Sequence, residues 1–157
     1  SYTGLRIGVS AAKGLAYALQ IPLISVNTLQ TMAAMAVKEN KSDVLFCPLL
    51  DARRMEVYTA IFDKDLNVVK ETSAQILPEA LSFFETGKSI CFFGEGMQKC
   101  KELLKQIPSA SFLDNIVPSS SALAQLSFQK HLKGQFEDVA YFEPFYLKDF
   151  LINKVSS

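Results

Sequence analysis

The chain has 157 residues, 49% hydrophobic and 20% charged, which suits one globular domain or two small lobes and excludes a disordered tail. A fold of this length buries roughly 70% of its unfolded surface, so neither a disulfide nor a metal staple is required. Sixteen basic residues balance sixteen acidic ones with no basic run, which disfavours direct gripping of DNA or RNA, because phosphate recognition needs clustered Lys and Arg.

Residues 5–19 are almost all apolar or small, and the pattern predicts a mostly buried helix with Thr3 as its N-cap. Pro22 stops it, and residues 23–26 read as a short strand. Thr28 is placed to cap a second helix over residues 29–38, followed by a turn at residues 40–42. The apolar run 44–50 has the length of a strand buried on both faces. A charged loop, Asp51-Ala52-Arg53-Arg54, separates it from two alternating segments, 56–62 and 68–76, joined by a turn at Asp63-Lys64-Asp65, an antiparallel meander. Pro78 and Gly87 bracket a predicted helix. Strands at 89–93 and 112–117 flank a helix at 97–107. Ser119 caps a last helix, 120–131, with Gly134 just past its end. The aromatic tail around Pro144 (Tyr141, Phe142, Phe145, Tyr146) takes no assignment. This order argues α/β with mixed sheets. The break at residues 40–43 divides the chain into 1–42 and 43–157, with the tail able to return to the first part.

Cys47, Cys91 and Cys100 are odd in number and widely spaced, which indicates reduced, cytosolic thiols rather than a disulfide framework or zinc site. No apolar stretch approaches the roughly 20 residues that span a bilayer, and no signal peptide is visible. Ser1 is not an initiator Met, and the first residues enter a helix with no preceding strand. A chain cut from a longer one is expected.

Three places can carry chemistry. Gly4, Gly8 and Gly14 sit in or against the first helix, where each costs about 1 kcal/mol relative to alanine. With Ala11, Ala12 and Ala16 they let another backbone approach closely, either the chain's own sheet or a second subunit. Asp51, Arg53, Arg54 and Glu56 concentrate charge where a buried strand ends, a place where α/β sheets bind ligands. An arginine pair beside carboxylates binds phosphate, locks two lobes together, or is simply solvated. Gly94-Glu95-Gly96 lies between strand and helix, but it lacks a third glycine and the phosphate-loop lysine, and Glu95 repels phosphate; an ordinary tight turn is expected. The single histidine, His131, belongs to a helix end, and no Gly-x-Ser-x-Gly elbow supplies a nucleophile for it.

The run Ser1-Tyr2-Thr3-Gly4-Leu5-Arg6-Ile7-Gly8, continued by Ala11-Ala12-Lys13-Gly14-Leu15-Ala16, resembles the TsaB (YeaZ) family. That family is the dimerisation subunit of bacterial tRNA threonylcarbamoyladenosine synthesis. Ile21-Pro22-Leu23, Val26-Asn27-Thr28-Leu29, Leu50-Asp51-Ala52-Arg53-Arg54, Glu56-Val57-Tyr58 and Pro144-Phe145-Tyr146-Leu147 follow as family landmarks in order. Tyr2 stands where the family usually has Phe, and Lys148 where Arg is common. The resemblance implies an actin/Hsp70/sugar-kinase-like (ASKHA, ribonuclease H-like) fold whose first lobe is incomplete here, its N-terminal strands missing.

It also implies a non-catalytic paralogue of the glycoprotease-like enzyme TsaD. Such a subunit binds TsaD through first-lobe helices and supports threonylcarbamoylation of tRNA adenosine 37, with a TsaE-like ATPase in the larger complex. The implied partner-binding residues are Thr3, Gly4, Leu5, Arg6, Gly8, Val9, Ala12 and Lys13. A homodimer is a further option. No cofactor is expected in this chain, ATP and a metal ion belonging to the partner subunits, and tRNA is met only through the complex, in the cytoplasm and away from membranes. The competing expectations are a glycoprotease-type peptidase, a sugar-kinase-like ATP-binding enzyme and a small-ligand-binding module.

Overall fold

The computed structural model describes residues 2–147; Ser1 and Lys148 lie outside the described residues. Five strands form one mixed sheet in the order β3-β2-β1-β4-β5. They are β1 (Leu45–Asp51), β2 (Glu56–Phe62), β3 (Val68–Ile76), β4 (Ile90–Phe93) and β5 (Ala110–Leu113). β1, β2 and β3 make the antiparallel meander that the alternation and the Asp63 turn predict. β4 joins β1 in parallel, with Phe46 opposite Cys91, and β5 joins β4 in parallel.

The period-2 alternation of β1 explains why both faces of the sheet are covered. Leu45, Cys47 and Leu49 point to one core, shared with Ile90, Phe92, Phe84 and α3 (Met97–Leu104). Phe46 points to the other, shared with Cys91, Phe93 and the Met32, Ala33 and Ala36 stripe of α2 (Thr28–Glu39). An uninterrupted apolar strand is what a sheet buried on both sides demands. α4 (Ser120–Leu132) packs beside α2, with Ser119 capping it as expected by accepting from the Ser121 N–H at 3.2 Å.

Several boundaries differ from the sequence expectation. α1 runs Tyr2–Leu19, so Thr3 lies inside its first turn instead of capping it. That helix is largely exposed: among its described side chains only Ala16 is buried. Residues 23–26 form no strand, because Leu23 finds a single antiparallel partner, Glu137, whose N–H donates to the Leu23 carbonyl at 2.8 Å. α2 is capped by Asn27, not Thr28; its side-chain oxygen accepts from the Leu29 N–H at 2.8 Å. Between Pro78 and Gly87 only one 3-10 turn forms, Leu81–Phe84, since the segment must drop Phe84 fully into the core. α3 ends at Leu104, and tighter turns then carry the chain to buried Ile107 just before Pro108, a position unfavourable to helix. β5 lies earlier than residues 112–117, its register set by pairing with β4, and Asn115 leaves the extended region at φ 65°.

Candidate functional site

α1 has an unusual standing in the molecule. Its 18 residues carry Leu5, Ile7, Leu15 and Leu19 at exposures of 44–65%, while among its described side chains Ala16 alone is buried. Helical geometry separates two stripes. Arg6, Val9, Lys13 and Ala16 share one, at spacings of three and four. Gly4, Gly8, Ala11 and Leu15 share the opposite one. A Cβ added at Gly8 or Gly14 meets nothing within 4 Å, so neither glycine is required by any neighbour among the described residues.

The first stripe faces the C-terminal segment, residues 135–147. The Lys13 ammonium donates to the Ala140 carbonyl at 3.0 Å and to the Phe142 carbonyl at 2.9 Å. The Arg6 guanidinium carbon lies 5.9 Å from the centre of the Tyr146 ring, within the range of a cation–π contact. Two shallow clefts, of about 640 and 300 Å³, run along this seam, meeting at Lys13. Of the residues expected to meet a partner, Thr3, Gly4, Leu5 and Gly8 are exposed, Val9, Ala12 and Lys13 are half-covered, and Arg6 is exposed while meeting Tyr146.

The polar candidates gather where β1 ends. Asp51 accepts from the Lys99 ammonium and from the Arg53 N–H at 2.9 Å, and Lys99 also donates to the Glu56 carbonyl at 2.7 Å. The Lys99 hydrogen bond first, and the Arg53 N–H second, hold the Asp51 carboxyl below its ordinary range. Arg53 and Arg54 take left-handed φ values of 79° and 46°, and both are exposed. Among the described residues neither guanidinium makes an ion pair. Lys99 escaped the sequence reading. Its signal was topological: a parallel β1–β4 pair sets the helix after β4 beside the end of β1.

Gly94-Glu95-Gly96 is the tight turn that makes this approach possible. Gly94 has φ 99°, and a Cβ there would stand 2.6 Å from the Leu49 oxygen. The Gly96 N–H donates to that same oxygen at 2.9 Å, and a Cβ on Gly96 would lie 2.9 Å from the Leu50 carbonyl carbon. These glycines serve backbone packing against β1.

The remaining candidates are quiet. Cys47, Cys91 and Cys100 are buried, and burial pushes all three thiols up, Cys47 to about 12. Exposed His131 sits in the last turn of α4, its ring 5.5 Å from that of Phe136. Among the described residues no group of three His, Cys, Asp or Glu is arranged to hold a metal ion, and no helix is long and apolar enough to cross a membrane.

The family model of TsaD, tRNA N6-adenosine threonylcarbamoyltransferase, matches residues 1–152. The tRNA threonylcarbamoyladenosine biosynthesis protein TsaB of Escherichia coli K12 is 31% identical over 95% of this chain and 67% of its own length. The Bacillus subtilis protein of the same name is 29% identical over 94% of this chain and 65% of its own length. The chain thus spans about two thirds of these curated relatives. Among solved structures, a Pseudomonas aeruginosa protein described as similar to the peptidase YeaZ superposes with a TM-score of 0.77 at 23% identity, over 94% of this chain and 69% of that one. A structure of YeaZ from Pseudomonas aeruginosa superposes at 0.73, with the same identity and coverage. The five-stranded mixed sheet covered on both faces fits the actin-like, ribonuclease H-like fold of these proteins. The chain belongs to the TsaB (YeaZ) family.

Proposed function

We propose that this protein acts in tRNA threonylcarbamoyladenosine biosynthesis as a non-catalytic subunit that pairs with a TsaD-like catalytic subunit through α1. The names of the relatives support the pathway. The observation that carries the pairing is the exposed stripe of α1, where Leu15 stands 61% exposed on the same face as Gly8, whose Cβ position opens onto empty space. Apolar surface of this kind is stabilised by being covered, and glycine lets a second backbone come closer than any other residue allows.

The chemistry of the chain agrees with a supporting role. Its thiols are buried, which pushes them toward the protonated form, and its balanced charge without a basic run disfavours gripping tRNA by itself. On this reading ATP, a metal ion and a TsaE-like ATPase belong to the assembled complex, and tRNA meets this subunit only there. The test is co-purification with the TsaD-like subunit, read together with the modified-nucleoside content of tRNA after depletion. Gly8→Leu, which plants a branched side chain on the open stripe, is expected to reduce capture at least tenfold. Undiminished capture, or peptide cleavage by the purified protein alone, overturns the proposal.

A further inference from the structure

One side chain of α1, Lys13, reaches across to the C-terminal segment with two hydrogen bonds. Among its described side chains α1 buries only Ala16, and an isolated helix of this length with internal glycines is marginal in water. Its order therefore depends on tertiary contacts. Two of them come from Lys13, whose ammonium spans the Ala140 and Phe142 carbonyls. The segment so gripped is fastened again next door. Glu137 pairs with Leu23 through its backbone and accepts from the Ser25 hydroxyl, and the Lys130 ammonium donates to the Ser25 carbonyl at 2.7 Å. The C-terminal segment thus runs as a strap over both α1 and the connection that follows it.

We propose that this strap, clamped by Lys13 on α1 and by Glu137 on residues 23–25, is the device that fixes the angle at which α1 presents its open stripe. Lys13 is then a positioning residue: it touches its own C-terminal segment and acts on the partner only through the helix it holds. The inference rests on α1 being the partner-binding element, and the test separates the two.

Amide hydrogen exchange of the free full-length protein reads the strap without any partner. Lys13→Met keeps the aliphatic stem and removes the ammonium; exchange is expected to rise at least tenfold in both α1 and residues 137–142. Lys13→Arg, which restores a donor, stays within threefold of the parent. Ser25→Ala, which loosens the second clasp, gives a smaller rise in residues 137–142. Capture of the TsaD-like subunit then weakens in Lys13→Met and recovers in Lys13→Arg. Unchanged exchange in Lys13→Met overturns the strap. Raised exchange with full capture, while Gly8→Leu abolishes capture, overturns its positioning role. Raised exchange with Gly8→Leu also harmless leaves the strap standing and removes the docking assignment.

Discussion

Replacing Gly94 by alanine is expected to destabilise the protein by about 3 kcal/mol. The new Cβ falls 2.6 Å from the Leu49 oxygen and 2.6 Å from the terminal methyl of Met32, on a backbone with φ 99°. The methionine end can swing away. The Leu49 oxygen is held, because it belongs to the central strand and accepts the Gly96 N–H at 2.9 Å. Positive φ costs a residue with a Cβ roughly 1–2 kcal/mol, and the forced backbone shift adds about 1–3 kcal/mol. For a chain of this size the sum lowers Tm by roughly 6–12 °C. The control is Gly14→Ala, where nothing lies within 4 Å of the added carbon and φ is not left-handed. There the change removes the helix penalty and gains up to about 1 kcal/mol. Thermal melts followed by far-ultraviolet circular dichroism, with urea titrations for m-values, decide the matter. A Gly94→Ala protein melting within about 2 °C of the parent refutes the claim that this turn exists for backbone packing.

Asn27→Ala removes the oxygen that caps α2 and is expected to cost about 1 kcal/mol in urea unfolding, whereas Thr28→Ala costs far less. Cys47 resists iodoacetamide in the native protein at mildly alkaline pH and reacts rapidly in urea, because burial holds its thiol near 12. Since that value is raised, its stabilising contribution is full below the ordinary 9.0 and is lost as pH climbs toward about 12. Asp51 titrates in the opposite sense. Its depressed value makes a small, solvent-screened contribution that is present above the ordinary carboxylate range and lost as pH falls through the native value. Carboxyl chemical shifts should place its midpoint below the ordinary value in the parent and return most of the way in Lys99→Met.

What the sequence makes legible follows from how local each determinant is. β1 and the β2–β3 meander rest on alternation, apolar runs and turn residues close in the chain, and all three strands form where the pattern puts them. The capping residue of α2 was displaced by one position because Asn27 and Thr28 are both capable caps, and the choice depends on which backbone enters the helix extended. The strand expected at residues 23–26 fails for a non-local reason: its only partner is Glu137, more than a hundred residues away. Lys99 is hidden from the sequence for the same reason, and for the strap the sequence offers only a tail able to return to residues 1–42, without its contacts. Their partners, Asp51 on another strand and two carbonyls in the tail, are chosen by the fold and not by spacing.

The glycines show how one residue type answers opposite demands. In the sequence Gly8 and Gly14 read as helix costs awaiting an explanation, and Gly94 and Gly96 as an ordinary tight turn. At Gly94 and Gly96 the explanation is internal: the end of β1 occupies the space a side chain would need. Along α1 no such neighbour stands among the described residues: space is open around Gly8 and Gly14 while Ile7 and Leu15 stand 65% and 61% exposed beside them. Where no described neighbour requires the glycine, alanine would make the helix more stable by about 1 kcal/mol at each position. Glycine is well suited to a surface that a second backbone must touch. Gly8→Ala therefore discriminates: alone, the protein should melt slightly higher, while its capture by the TsaD-like subunit should fall. A variant that gains stability and loses nothing in pairing would show that the helix keeps its glycines for some other reason.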